Sequence, residues 1–447
     1  MTTHPITAIP GDVLGPDHPD YDTARAVFNH MIDRHPLAII RCRNAHDIAR
    51  GTLFAREHDL ALSIRGGGHS VAGNAVCDGG IMLDLSAMKE VVVDPARRTA
   101  RAGAGLLLGE LDRATQRHGL ATPLGVMSGT GIAGLTLGGG LGWLNGSRGL
   151  ACDNLISAEV VTTNGDILQV GPDEHTDLLW GLRGGGGNLA VVTSFTYQLH
   201  PTGTVLAGAL THPGTAAREV LRYHHQFMAA APDQLTSAVS LGLDPAGQPA
   251  VSVVVCWSGD RSLGEQVLDP LRAFGRPLHD SITEWAYLDW QRAPDPTFPP
   301  RRLHYWKSGY LRHLTEAAVD ALLDLLHHIP SPTIGIGLQG LRGAAGRVPV
   351  DATAFPHRAD QYDLLILAQW ENPQDSADHI GWTRQAFDAL QPHLENAVYV
   401  NNLGAEGPDR VRAAYGPNYT RLAQLKSIYD PANVLRLNQN VVPTPPT

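Results

Sequence analysis

The chain has 447 residues, 43% of them hydrophobic and 17% charged, with 48 Gly and 31 Pro. That is enough apolar material for roughly two to four domains and too much for a disordered chain. A formal charge of −10 without any Lys/Arg run speaks against a nucleic-acid binder. The cysteines, Cys42, Cys77, Cys152 and Cys256, show neither metal-ligand nor disulfide spacing. The N-terminus lacks a signal-peptide pattern and no stretch approaches a membrane span, so a soluble cytoplasmic protein is expected.

Residues 1–34 read as a lead-in ending in a helix, with Tyr21, Ala24, Val27, Phe28 and Ile32 at helical spacing. A strand at 37–42, a helix at 44–60 capped by Asn44, and a strand running into glycine at Gly66 follow. Residues 79–105 hold three short strands, and 106–119 an amphipathic helix ending at Gly119. The stretch 121–155 is dense in glycine, and no periodic helix fits it. Two strands then flank Asn164-Gly165, a hairpin signal. A helix, a glycine run and a strand lead to Pro201. From about 203 the character changes: VLAGAL, TSAVSLGL, AVSVVVCW, TIGIGLQGL and DLLILAQW are candidate strands. Helical segments at 215–230, 260–274, 314–328 and 376–392 alternate with them. This predicts an α+β fold with a mostly antiparallel sheet covered by helices on one face. The last segment reads as a helix, a Pro-broken turn and an extended tail.

Three loops concentrate glycine: Arg65 to Ser70, Gly125 to Gly142, and Gly184 to Asn188. Glycine leaves no Cβ between backbone N–H groups and a ligand, and inward-turned N–H groups attract anions such as a pyrophosphate. Gly129-Thr130-Gly131-Ile132-Ala133-Gly134 matches G-x-G-x-x-G, with Asp153 near the ribose-acid offset. The Rossmann context fails, because no buried strand precedes it and the glycines that follow disfavour a phosphate-facing helix. No P-loop motif occurs.

Four stretches carry a family resemblance: SIRGGGHSVAGNAVCDGGIMLDLS, SGTGIAGLTLGGGLGWLNGSRGLACDNL, LLWGLRGGGGNLAVVTSF and YDPANVLRLNQN. Together and in this order they resemble the berberine-bridge-enzyme-like oxidases of the vanillyl-alcohol-oxidase/PCMH flavoprotein superfamily, in the style of bacterial members that tailor natural products. The resemblance implies a PCMH-type FAD-binding domain of two α/β subdomains at 1–202. It implies a substrate-binding domain at 203–396 and a C-terminal segment at 397–447 that returns to the FAD domain.

The resemblance also assigns roles. His69, in Arg65-Gly66-Gly67-Gly68-His69-Ser70, would bond through its ring to the flavin 8α-methyl, and the flanking N–H groups would cradle the pyrophosphate. A second link in many relatives uses a Cys in the stretch matched by Gly125-Val126-Met127-Ser128. Met127 cannot form that thioether, so a single link is expected. Thr130 stands where the family governs oxygen access, beside Gly131 and Gly134. Gly138, Gly139, Gly140, Gly142, Asn154, Gly187, Asn188 and Val192 match stretches lining the adenosine and pyrophosphate channel. Asn438, Gln439 and Asn440 match the segment that closes over the flavin ring.

The substrate side is more open. Tyr399 and Asn401 match a family stretch near the isoalloxazine, with Asn402 replacing an aromatic residue. Tyr399, Glu371, Glu284, His357 and Lys307 are candidate proton acceptors, with Tyr399 and Glu371 leading. Trp306, Tyr310, Trp285, Tyr287 and Trp370 are candidates for an apolar pocket or for core. The implied activity is oxidation of a CH–OH or CH–N group of a small molecule by hydride transfer to flavin N5, with O2 as acceptor. A redox-neutral cyclase and a dehydrogenase with another acceptor are the alternatives. The oligomeric state is not legible.

Overall fold

The computed structural model describes residues 11–445. Its first part builds two sheets. Strands Asp12–Leu14, Ala38–Arg41, Ile81–Asp84 and Leu62–Arg65 lie side by side in that order, the last three parallel and the first antiparallel. Parallel strands need a crossover, and the helix Ala45–Glu57 carries the chain from Ala38–Arg41 over to Leu62–Arg65, leaving the place between them for Ile81–Asp84. Asn44 starts that helix by accepting from the Asp47 N–H at 3.0 Å. Gly51 lets the helix lie tight on the sheet, since a Cβ there would sit 2.5 Å from Leu83 Cδ2. Strands Val91–Asp94, Thr99–Gly103, Val191–Gln198, Leu155–Val161 and Ile167–Val170 form a second, antiparallel sheet. The hairpin signal is met between its last two strands, where Gly165 has φ +85°.

The large sheet is antiparallel at every pairing. Its order runs His279–Asp280, Thr204–Pro213, Pro249–Trp257, Leu235–Leu243, Ile334–Leu341, Gln361–Trp370, Leu303–Leu311, with Thr283–Ala286 also pairing on Thr204–Pro213. Val253, Val255, Leu338 and Ile366 point to one face, in a core shared with helices Ala217–Ala230, Arg261–Ala273, Glu316–His327 and Ser376–Leu390. The other face carries Ser308, Leu365, Gly337, Ser240 and Ser252 in register. The α+β expectation is met, as are all five candidate strands and four helical segments of this region.

The C-terminal helices Pro408–Tyr415 and Tyr419–Tyr429 lead into a tail whose Val434, Leu435 and Val441 are buried in the same core as residues 38–199. A buried ion pair holds the tail: Lys426 Nζ donates to Asp430 Oδ2 at 2.5 Å, to Asn188 O at 2.8 Å and to Leu435 O at 3.0 Å. No helix among the described residues is long and apolar enough to cross a membrane.

Three expectations are corrected. The lead-in helix covers only Tyr21–Arg25, and Phe28 lies beyond it with its N–H bonded to Gly68 O at 3.0 Å; a tertiary contact overrides the helical spacing there. Residues 121–155 contain two short helices, Ile132–Leu137 and Asn145–Arg148, the first stopped at Gly138 before the positive-φ Gly139 and Gly140. The strand Leu303–Leu311 and the helix Tyr287–Arg292 were not expected. That strand is largely buried on both faces, so it shows no alternation to read.

Candidate active site

The three glycine loops converge on one cavity of about 1320 Å³, its open mouth included. The first loop leaves the strand Leu62–Arg65 and contributes Gly66, Gly67, Gly68, His69 and Ser70 to the wall. The second contributes Thr130, Gly131, Ala133, Gly134 and Gly138, and the third Gly186 and Gly187 with Ala190, Val191 and Val192 beyond. Val400, Asn401, Leu435, Leu437, Asn438 and Gln439 close it from the C-terminal segment.

The first two loops touch backbone to backbone. A Cβ on Gly67 would lie 2.4 Å from Gly131 N, and one on Gly131 would lie 2.4 Å from Gly67 N. Any side chain at either position would wedge the loops apart. At Gly134 and Gly187 a Cβ would meet nothing within 4 Å, so these two face the open cavity.

His69 is the one titratable group of the first loop in the wall. Its ring stacks on Phe28, with centroids 3.9 Å apart and planes 16° apart. Burial pushes its pKa down to about 4, because a cation there would lose its hydration. The imidazole is therefore neutral at pH 7, with a lone pair free to act as nucleophile or ligand.

Of the expected binding residues, several lie outside the cavity wall, and all but Asn440 have an identifiable partner. Arg65 donates to Ala24 O from the base of the first loop. Gly125 O accepts from Gln291 Nε2 at 3.1 Å, and Val126 packs in a cluster with Trp143 and Trp290. Ser128 donates through both its N–H and its hydroxyl to the carboxylate of Asp295, tying the second loop to the helical turn Asp295–Thr297. Gly139 packs on Phe355, Gly140 on Ala151, and Gly142 on Leu124 O. Asn154 donates to Arg148 O and Leu150 O and pairs with His200 Nε2 at 2.6 Å. Asn440 is buried through Oδ1, which has no partner among the described residues.

The candidate proton acceptors are likewise engaged. Tyr399 is buried, and its hydroxyl accepts from Gly140 N–H at 2.9 Å, Leu141 N–H at 3.2 Å and Asn401 Nδ2 at 2.8 Å. Burial raises its pKa well above the ordinary tyrosine value. It thereby braces Asn401, which does line the cavity. Glu371 is exposed and pairs with Arg302 at 2.7 Å. Glu284 pairs with Arg261, Lys307 with Glu406, and His357 with Ala414 O. Tyr310, Trp306 and Trp370 sit in the strands of the large sheet, while Trp285 and Tyr287 join the Trp143 cluster.

Two contributors carry no sequence signal of their own. Tyr415 lines the cavity and its hydroxyl donates to Gln439 O at 3.2 Å, inside an ordinary amphipathic helix. Asn74 lines it from the turn after the first loop.

The cavity suits the FAD expected from the sequence. It offers backbone cradles that a Cβ would fill at Gly134 and Gly187. Apolar walls come from Leu62, Ile64, Leu85, Leu135 and Leu437. Asn438 Oδ1, buried with no partner among the described residues, matches the donor edge of a flavin, its Nδ2 being held by Gly187 O at 2.9 Å.

Comparison with known proteins agrees. Residues 36–171 match the FAD binding domain family, and residues 398–442 the berberine and berberine-like family. The (R)-6-hydroxynicotine oxidase of Paenarthrobacter nicotinovorans is 30% identical over 98% of this chain and 97% of its own. An uncharacterised FAD-linked oxidoreductase of Bacillus subtilis is 30% identical over 98% of both chains. The crystal structure of 6-hydroxy-D-nicotine oxidase from Arthrobacter nicotinovorans superposes with a TM-score of 0.91 at 29% identity, covering 99% of this chain and 100% of that one. Berberine bridge enzyme from Eschscholzia californica shares the fold, with a TM-score of 0.88 at 21% identity over 98% and 97% of the two chains. Glycine loops, cavity and relatives lead to one assignment: this chain belongs to the berberine-bridge-enzyme-like FAD-linked oxidoreductases.

Proposed function

We propose that this enzyme holds FAD by a single covalent bond at His69 and oxidises a CH–OH or CH–N group of a small organic molecule, with O2 as final acceptor. The observation that carries the reading is a half-buried imidazole, stacked on Phe28, in the wall of a glycine-cradled cavity. When bound, the flavin would supply a two-electron oxidant suited to accepting a hydride from a substrate carbon and to reoxidation by O2.

The protein's own residues bind, orient and exclude water. Backbone N–H groups of Gly66, Gly67, Gly68 and Ser70 serve the pyrophosphate, with Gly131, Gly134, Gly187 and Val192 along the same channel. Asn401, braced by Tyr399, and Asn438 serve the polar edge of the ring system. Arg65, Ser128, Gly139, Gly140, Gly142, Asn154 and Asn440 keep the loops in place from outside the wall. Residues 1–202 with 397–447 hold the cofactor, and 203–396 the substrate; the hydrophobic core shared by residues 38–199 and 398–441 supports that division. Met127 stands where relatives carry the second linking Cys, which supports a single link. Thr130, a small residue in the wall, leaves room for oxygen. The oxidase named among the relatives acts on a hydroxynicotine, which favours a CH–N substrate in natural-product or alkaloid chemistry.

The test is an anaerobic substrate screen by flavin bleaching, followed by admission of air. Rapid return of the yellow colour with peroxide release supports the oxidase. Bleaching that persists in air assigns a dehydrogenase, and product without bleaching assigns a redox-neutral enzyme. Acid precipitation of wild type and His69→Ala tests the tether: colour should stay with the first protein and leave the second.

A further inference from the structure

The segment ahead of the first glycine loop is clamped on both sides. Phe28 N–H donates to Gly68 O at 3.0 Å, directly before His69. The buried Asn29 amide donates to Val71 O at 2.8 Å and to His304 O at 3.0 Å, and its Oδ1 accepts from His304 N–H at 3.0 Å. These bonds fix the Phe28 ring between two imidazoles: His69 at 3.9 Å and 16°, and His304 at 4.2 Å and 19°. Trp306 closes the group edge-on, 6.0 Å from Phe28 and 5.9 Å from His304. His304 is 1% exposed, and neither of its ring nitrogens has a partner among the described residues. The array spends a buried histidine without a hydrogen bond, which is costly, and it delivers one flat apolar surface to the face of His69.

We propose that Phe28 is the positioning residue for flavin attachment: its ring, backed by His304, holds the His69 imidazole in one plane and dry, so that a ring nitrogen meets the flavin 8α-methyl. The inference rests on the His69 link proposed above. Net, one C–H bond of the methyl group and the imidazole N–H are exchanged for a C–N bond. The two hydrogens, with their two electrons, reduce O2 to hydrogen peroxide. The step needs a neutral imidazole at a fixed orientation, and the stack provides both. The other charged or titratable groups near this array are Arg65, whose Nε would lie 3.4 Å from a Cβ on Gly68, and His30 and Arg302 around His304.

The experiment uses full-length enzyme from riboflavin-starved cells, given FAD, with acid-stable flavin measured against total bound flavin over time. Phe28→Leu keeps apolar volume but removes the flat face; Phe28→Tyr keeps the face. Link formation should slow roughly tenfold in Phe28→Leu and recover in Phe28→Tyr. The pH profile should separate them further. Wild type should link undiminished at pH 5.5, whereas Phe28→Leu, its imidazole wetted and titrating nearer the ordinary value of about 6.5, should slow there. If wild type links and Phe28→Leu matches it in rate and pH profile, the positioning role is wrong and the tether stands. If wild type itself holds no acid-stable flavin, tether and positioning role fall together.

Discussion

Replacing Gly67 by alanine tests whether the cavity depends on two backbones in contact. The added Cβ would lie 2.4 Å from Gly131 N and 2.5 Å from Gly131 Cα, and 3.2 Å from Leu107 Cδ2. Ordinary contact begins about 1 Å farther out. The obstacle is backbone on a loop pinned by the Leu107–Gly131 bridge, so no rotamer change relieves it. The cost belongs at the top of the roughly 1–3 kcal/mol seen for overpacking. At roughly 2–4 °C per kcal/mol, thermal unfolding should begin about 6–12 °C lower. Gly131→Ala should cost as much, and the double variant less than the sum, since one separation of the loops accommodates both methyls. Gly381→Ala is the control: it lies inside the helix Ser376–Leu390 with nothing within 4 Å, and should stabilise by about 1 kcal/mol. Differential scanning fluorimetry, with FAD content read by absorbance, measures all four. A Gly67→Ala protein with unchanged melting and full flavin content would refute the close-contact argument.

Lys426→Met leaves Asp430 buried without its cation and frees the tail; a loss of about 3 kcal/mol in denaturant titration is expected, and easier loss of FAD when the substitution is made in the untethered His69→Ala protein. Tyr399→Phe strands three N–H donors and should cost about 1–3 kcal/mol, while kcat stays within about tenfold. A fall of roughly 100-fold or more with a changed pH profile would instead mark Tyr399 as the proton acceptor. His304 is held neutral by burial, with a pKa near 3. Below about pH 6.5 the unfolded chain binds a proton there that the folded one refuses, so stability falls as pH drops. His304→Phe should therefore gain about 2 kcal/mol over wild type on going from pH 7.5 to pH 5, measured by urea unfolding at both.

Much of the fold was legible because its period was clean. Strands of the large sheet such as Ile334–Leu341 alternate buried and half-open residues, and Asn44 and Gly119 punctuate helices, the first by its side-chain cap and the second by its positive φ. The ordered glycine motifs, with His69 in the first, announced the cofactor and its family, since backbone cradles must be written as glycine. What the sequence left unread depends on contacts between distant segments. Phe28 keeps helical spacing but serves as one layer of an imidazole sandwich, because Gly68 and Asn29 bond it out of the helix. Tyr399 reads as chemistry and sits as a brace for Asn401; Glu371 reads as a candidate base and sits in solvent. The strand Leu303–Leu311 gives no alternation because both its faces are covered. Local pattern fixes which residues can make a strand, a cap or a cradle; which side chains meet across the cavity is decided only when segments hundreds of residues apart are packed together.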